Sequence, residues 1–200
     1  MSLSLKIQRG RFRGRSIPMP APVHGHSNFT PALVKKAVFD LADARLGDLS
    51  DVLFFDLCAG SGQMGLEAYS LEYREVHLCE LDQGRFSEIL KEIKKRSYTV
   101  HLHRKDFRKM VPTIENAERS VVYLDPPYSI WEKKNCPPIL EFLEKLGSSL
   151  NGPNLSIREI LVIIQGPDFC NIPETPPWPP SEERAYGKNY LTILHWKKAM

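Results

Sequence analysis

The sequence predicts an α/β fold, a doubly wound and mostly parallel sheet preceded by a small basic β-hairpin. Three observations carry that expectation. Short apolar runs alternate with helical segments along most of the chain, the pattern of strand, helix and strand that builds a parallel sheet. The first of those runs leads straight into the glycine turn Gly60-Ser61-Gly62-Gln63-Met64-Gly65. Acidic residues, Asp56, Glu80, Asp106 and Asp125, stand where four successive strands are expected to end, and such sheets bind ligands beyond the carboxyl ends of their strands.

The 200 residues suffice for one domain with a small appendage. The division expected is a basic arm over residues 1–29 and a main domain over residues 30–200. No apolar run approaches the roughly 18 residues of a membrane span, and the first twenty residues lack the apolar stretch of a signal peptide. A soluble, cytosolic protein is therefore the expectation. The cysteines Cys58, Cys79, Cys136 and Cys170 lack the close pairing of a zinc motif. Cys58 and Cys79 read as small buried apolar side chains. His101 and His103 alternate on one strand and read as an exposed face rather than as ligands, so no metal is expected.

Lys6, Arg9, Arg11, Arg13, Arg15, Lys35 and Lys36 all precede Asp40, the first acid in the chain. Such an asymmetry is the electrostatic footprint of a protein that meets a polyanion. The stretch from Leu5 to Pro20 alternates around Gly10 and Gly14, which suggests a hairpin with Arg9, Arg11, Arg13 and Arg15 along it. Phe12, between two arginines, can pack or stack beside them. Residues 20–29 have no clear period and read as a connector.

Thr30-Pro31 is a helix start, a capping hydroxyl followed by proline in the first turn, and Leu33, Val34, Ala37, Val38 and Leu41 supply one apolar face up to Gly47. Strands are expected over residues 52–56, 75–79 and 99–103. Between the second and third, Phe86, Ile89, Leu90 and Ile93 keep helical spacing. The fourth strand is Val121-Val122-Tyr123-Leu124, stopped by Asp125-Pro126-Pro127-Tyr128, because each proline fixes φ and lacks a donor. Pro137-Pro138 opens a helix with Ile139, Phe142, Leu143 and Leu146 on one face. A fifth strand spans 159–165, the proline-rich residues 171–180 form a loop or a hairpin turn, and a last strand spans 191–196.

Gly60-x-Gly62-x-x-Gly65 matches the dinucleotide fingerprint, and Glu80 lies where an acid that accepts from ribose hydroxyls is expected. Nicotinamide cofactors and S-adenosylmethionine are both served by these features. Two details favour S-adenosylmethionine. Asp56, just before the turn, would repel a pyrophosphate and attract an ammonium or sulfonium group. Asp106 can accept from an adenine amino group, and Phe107 can cover the ring. Asp125, the carbonyls of Pro126 and Pro127, and the ring of Tyr128 can together hold a planar amino group and stack on the base that bears it.

Asp56-Leu57-Cys58-Ala59-Gly60-Ser61-Gly62, Glu80, Asp106 and Asp125-Pro126-Pro127-Tyr128 resemble the successive motifs of class I methyltransferases that act on exocyclic amino groups. Residues 6–17, 34–41, 60–70 and 184–187 further resemble the RsmD family, which methylates guanine N2 in 16S ribosomal RNA. The likeness covers nearly the whole chain, and the arginine arm is its most particular part. Where that family has Arg-Pro-Thr, this chain has Asn28-Phe29-Thr30.

The resemblance implies a Rossmann-like methyltransferase domain with S-adenosylmethionine held by Asp56, Ala59, Gly60, Gly62, Glu80, Asp106 and Phe107. It implies Asp125, Pro126, Pro127 and Tyr128 as the catalytic loop, with Arg9, Arg11, Arg13 and Arg15 on the nucleic acid. The partner implied is 16S ribosomal RNA, naked or within an assembling small subunit, met by a monomer. The rival expectations are a DNA adenine-N6 methyltransferase and a catalytically silent nucleic-acid-binding protein of the same fold. A nicotinamide dehydrogenase is the third, and it has no use for Asp125-Pro126-Pro127-Tyr128.

Overall fold

In a computed structural model of the chain, which describes residues 4–18, 30–132, 136–152, 156–169 and 177–199, the N-terminal hairpin is β1 (Ser4–Lys6) paired antiparallel with β2 (Ser16–Pro18). The expected connector over residues 20–29, most of the proline-rich loop and Cys170 lie outside the described residues. After the hairpin come α1 (Ala32–Leu46), β3 (Leu53–Asp56), α2 (Gln63–Ser70), β4 (Glu75–Cys79), α3 (Gln83–Arg96) and β5 (His101–His103). A 3-10 turn at Phe107–Met110 runs into α4 (Val111–Ile114). Then follow β6 (Arg119–Leu124), α5 (Tyr128–Trp131), α6 (Pro137–Leu150), β7 (Glu159–Gly166), β8 (Glu182–Tyr186) and β9 (Asn189–Lys197).

The main sheet has the order β5-β4-β3-β6-β7-β9-β8. Strands β5, β4, β3, β6 and β7 are parallel, and β9 runs against both β7 and β8. The chain reverses direction of travel along the sheet after β5, and beyond the carboxyl ends of β3 and β6 lies the crevice that this switch opens. Among the described residues no helix is long and apolar enough to cross a membrane.

Strand residues alternate between two cores, as the pleat requires. Phe54, Val121, Tyr123, Leu161 and Ile163 face α1, α2 and α3, whereas Phe55, Val122, Leu124, Ile160, Val162 and Ile164 face α4 and α6. The helix expected after Pro137-Pro138 forms, with Ile139, Phe142, Leu143 and Leu146 buried. Two strand expectations differ from the fold. β5 begins at His101 rather than at Thr99, whose N–H donates to the Tyr69 hydroxyl instead of to a neighbouring strand. β8 was not expected, because Glu182-Glu183-Arg184 reads as polar surface. It is the sheet's outer edge and is half-exposed, and its hairpin to β9 turns at Gly187-Lys188.

The hairpin is welded to the main domain. Ile7 and Ile17 are buried in the first core, and Lys35 Nζ lies 2.8 Å from Glu67 and donates to the Lys6 carbonyl. Glu67 also accepts from the N–H groups of Gln8 and Arg9. Lys35, expected among the cations that face a polyanion, is thus a buried ion-pair partner.

Candidate active site

The parallel order brings the carboxyl ends of β3, β4, β5 and β6 to one edge. Asp56 closes β3, opposite Tyr123 of β6, so Asp125 stands two residues beyond it. A small cleft here is walled by Asp56, Ala59, Gly60, Gln63, Tyr123 and Asp125, with Thr30 and Cys58 beside them. Cys58 is half-buried in that wall, whereas Cys79 is buried as expected.

The glycine turn is held from three sides. Gly60 and Gly62 adopt φ of 56° and 76°, the left-handed region that glycine enters without strain. Gly65 lets α2 pack on β4, since a Cβ there would stand 2.7 Å from Leu78 Cγ. Asp56 accepts from the Gly65 N–H at 3.0 Å, and Glu80 accepts from Gly60 and Asp82, both at 2.8 Å. The two acids therefore fix the loop before any ligand does so, and each carboxylate oxygen keeps a further lone pair.

The cleft gathers acids without a cation. Among the described residues no salt bridge reaches Asp56, Glu80 or Asp125. Burial pushes Asp56 up to about 7, and the neighbouring Asp125 and Glu80 add to it. Burial likewise pushes Asp125 up to about 7, partly offset by the nearby hydroxyls of Tyr123 and Thr30. Such a pocket repels phosphate and suits a cation.

Beneath Asp125 lies a polar network that sequence reasoning missed. The Tyr123 hydroxyl lies 2.6 Å from Gln165 Oε1, 3.2 Å from Thr30 Oγ1 and 3.5 Å from Asp125. A phenol has one proton, and the shortest contact takes it, so Gln165 is the acceptor. Thr30 was expected to cap α1. Its hydroxyl turns into this network instead, Pro31 stands at the cap position, and no side chain caps the helix. Tyr123 and Gln165 are polar residues near the carboxyl ends of the mostly apolar β6 and β7, and that contrast is the available signal.

The other expected residues are placed as follows. Pro126 is buried, Pro127 is exposed and Tyr128 is 51 % exposed at the start of α5. Asp106 is engaged by its own neighbour. It caps the 3-10 turn through the Arg108 N–H and forms a two-pronged pair with the Arg108 guanidinium at 2.8–2.9 Å, which holds its carboxyl below the ordinary range. Phe107 is buried. The tight turn directs its ring under α6, edge-on to Phe142 at 5.7 Å.

The arginine arm is only partly free. Arg9 pairs with Asp40 and Asp43. Arg11 and Arg15 both lie over the Phe12 ring, at 4.6 and 4.2 Å, and that ring also packs against Tyr69 and Tyr98. Arg13 is exposed, with no ion pair among the described residues.

Residues 5–195 match the family described as Conserved hypothetical protein 95. The chain belongs to this family. Solved structures with the same arrangement include yhhF of Escherichia coli, provisionally described as a methyltransferase, at 19 % identity and TM-score 0.68 over 98 % of this chain and 99 % of that one. A Thermus protein described as hypothetical has 24 % identity and TM-score 0.69 over 94 % of this chain and 98 % of that one. The rRNA methyltransferase aviRa of Streptomyces viridochromogenes has 16 % identity and TM-score 0.57 over 88 % of each chain. The shared fold is that of class I methyltransferases. A search of curated proteins gave no significant match.

Proposed function

We propose that the chain is an S-adenosylmethionine-dependent methyltransferase that acts on the exocyclic N2 of a guanine in 16S ribosomal RNA. The observation that carries the reading is the shared cleft: Asp125, first residue of Asp-Pro-Pro-Tyr, lines the same space as Asp56 and the glycine turn. Its unpaired acids fit a ligand bearing an ammonium and a sulfonium. Asp56 and Glu80, with Ala59, Gly60 and Gly62, would hold that cofactor, and Asp106 and Phe107 would border its adenine end.

When bound, S-adenosylmethionine supplies an electrophilic methyl carbon on its sulfonium. An exocyclic amine is a poor nucleophile because its lone pair is delocalised into the ring. Asp125 and the Pro126 carbonyl accept its two hydrogens, which draws the nitrogen toward tetrahedral geometry and aims the lone pair at the methyl. Tyr128 stacks on the base. Position and alignment carry most of the acceleration, with the hydrogen bonds adding to it. Asp125 takes up the proton that the amine sheds after transfer.

A base inside a helix cannot reach this loop, so the target is unpaired or flipped out, at a cost of a few kcal/mol. The arm over residues 1–29 binds RNA phosphates through Arg11, Arg13 and Arg15, with Arg9 bracing it against α1, and residues 30–200 carry the transfer. The partner is 16S ribosomal RNA or an assembling small subunit in the cytoplasm, met by a monomer.

The test incubates the protein with labelled S-adenosylmethionine and, separately, small-subunit RNA, large-subunit RNA and DNA, then identifies the modified nucleoside by mass. N2-methylguanosine in small-subunit RNA is expected. N6-methyladenine in DNA would replace the reading with the DNA enzyme, and no label in any substrate would leave a silent binding protein.

A further inference from the structure

A second cluster of ligand-type side chains lies at the sheet's edge, on the flank away from the cleft. Strands β4 and β5 pair in parallel with His77 opposite His101 and Cys79 opposite His103. Glu75 and His77 are two residues apart, so the pleat sends both to one face. One carboxylate oxygen of Glu75 lies 3.6 Å from His77 Nε2 and 3.7 Å from His101 Nε2. The three ligand atoms fall within 4.8 Å of one another.

His77 is 7 % exposed, and its two nitrogens are treated differently. Nδ1 lies 3.1 Å from His103 Nε2, whereas Nε2 is buried and has no hydrogen-bond partner. Buried polar atoms nearly always have one. When Nδ1 donates its proton to His103, Nε2 presents a bare lone pair toward Glu75 and His101. A histidine whose other nitrogen donates to a fixed acceptor is the arrangement that orients metal ligands. Phe55 packs flat on the ring of His77 at 4.8 Å and restricts its rotation.

We propose that Glu75, His77 and His101 form a zinc site, with His103 as the group that orients His77. A tetrahedral ion with bonds of about 2.0–2.2 Å separates its ligand atoms by about 3.3–3.6 Å, which the two Glu75 distances approach, whereas the His101 ring, stacked on His77 at 4.5 Å, has to turn to face the ion. The side chains of Glu75 and His101 are 42 % and 53 % exposed, so they can close the small remainder and leave a fourth position to water. Two imidazoles and a carboxylate are a donor set that zinc accepts and that calcium and magnesium, which favour oxygen, do not.

The ion's role follows from its place. It would fasten the three-residue edge strand β5 to β4, the two strands that lead to Asp106 and Glu80. The Glu80 N–H donates to the His103 carbonyl at 3.0 Å, so the clamp lies directly behind the acceptor that holds the glycine turn. The site stands apart from the cleft and does not depend on the methyltransferase reading.

The test is calorimetric titration of the full-length, untagged, chelator-treated protein with zinc chloride, with thermal unfolding measured in parallel. One equivalent should bind, and the unfolding midpoint should rise by roughly 5–10 °C at zinc a hundredfold above its dissociation constant. His101→Ala and Glu75→Gln alter half-exposed side chains, keep the fold, and should each weaken binding at least tenfold. The cobalt-loaded protein should show visible absorption that both variants lose. Absence of saturable binding would overturn the proposal. So would one-equivalent binding of undiminished affinity in both variants, which would place the ion elsewhere.

Discussion

Replacing Asp125 by Asn tests the buried-charge account of the cleft, because the substitution keeps shape and one acceptor oxygen but removes the charge. The carboxyl is pushed from 3.8 up to about 7. Its raised value means that the folded state binds a proton more tightly than the unfolded chain does. Its contribution to stability is therefore complete below about pH 4 and is lost as pH rises through 7. At about 1.4 kcal/mol per pH unit the ionised form is disfavoured by roughly 4 kcal/mol at pH 8, and water at the cleft mouth reduces this to about 2 kcal/mol. Asp125→Asn should thus raise the unfolding midpoint at pH 8 by roughly 4–8 °C and by only about a third as much at pH 5, where the folded carboxyl is protonated and the unfolded one is ionised. Methyl transfer should fall on the order of 10²-fold, while affinity for S-adenosylmethionine changes little. Thermal unfolding at the two pH values and single-turnover methylation measure both. Destabilisation at pH 8, or an equal gain at both pH values, would refute the reasoning.

Lys35→Met leaves Glu67 charged and buried without its cation, and should lower the unfolding free energy by about 3–5 kcal/mol in a urea titration; a loss under about 1 kcal/mol would count against the ion pair as the hairpin's anchor. Gly10→Ala places a Cβ 2.0 Å from the Ser70 carbonyl oxygen at φ +77°, and should destabilise by about 2–4 kcal/mol. Proteolysis should then cut first within the hairpin. Arg13→Ala should reduce the slope of log affinity for RNA against log salt by about 1, whereas Arg9→Ala, whose guanidinium is already paired with Asp40 and Asp43, should leave that slope unchanged. Filter binding across a salt series distinguishes the two.

Much of this architecture was readable before folding was considered, and the reasons are local. Ile139, Phe142, Leu143 and Leu146 announce α6 because a helix repeats every 3.6 residues, and Pro137-Pro138 can only begin it. Ile160 to Ile164 of β7 is an unbroken apolar run between Glu159 and Gln165, as a strand buried on both faces requires. β8 escaped notice because an edge strand buries little, so Glu182, Glu183 and Arg184 carry no apolar signature. Thr30 misled for a different reason: a hydroxyl before a proline satisfies the capping rule, but a partner 93 residues away in sequence, Tyr123, lies closer in space.

The sequence by itself determined the order of the elements up to β7, the strand-end acids and the glycine turn, since these follow from periodicity and from conformations that only certain residues adopt. Tertiary structure alone decided which charges are free. Lys35 and Arg9 belong to acids on α2 and α1, and Asp106 to Arg108, while Asp56 and Asp125 share a cleft with no cation. Electrostatic partnership depends on separation through space and on local dielectric, and neither is set by distance along the chain.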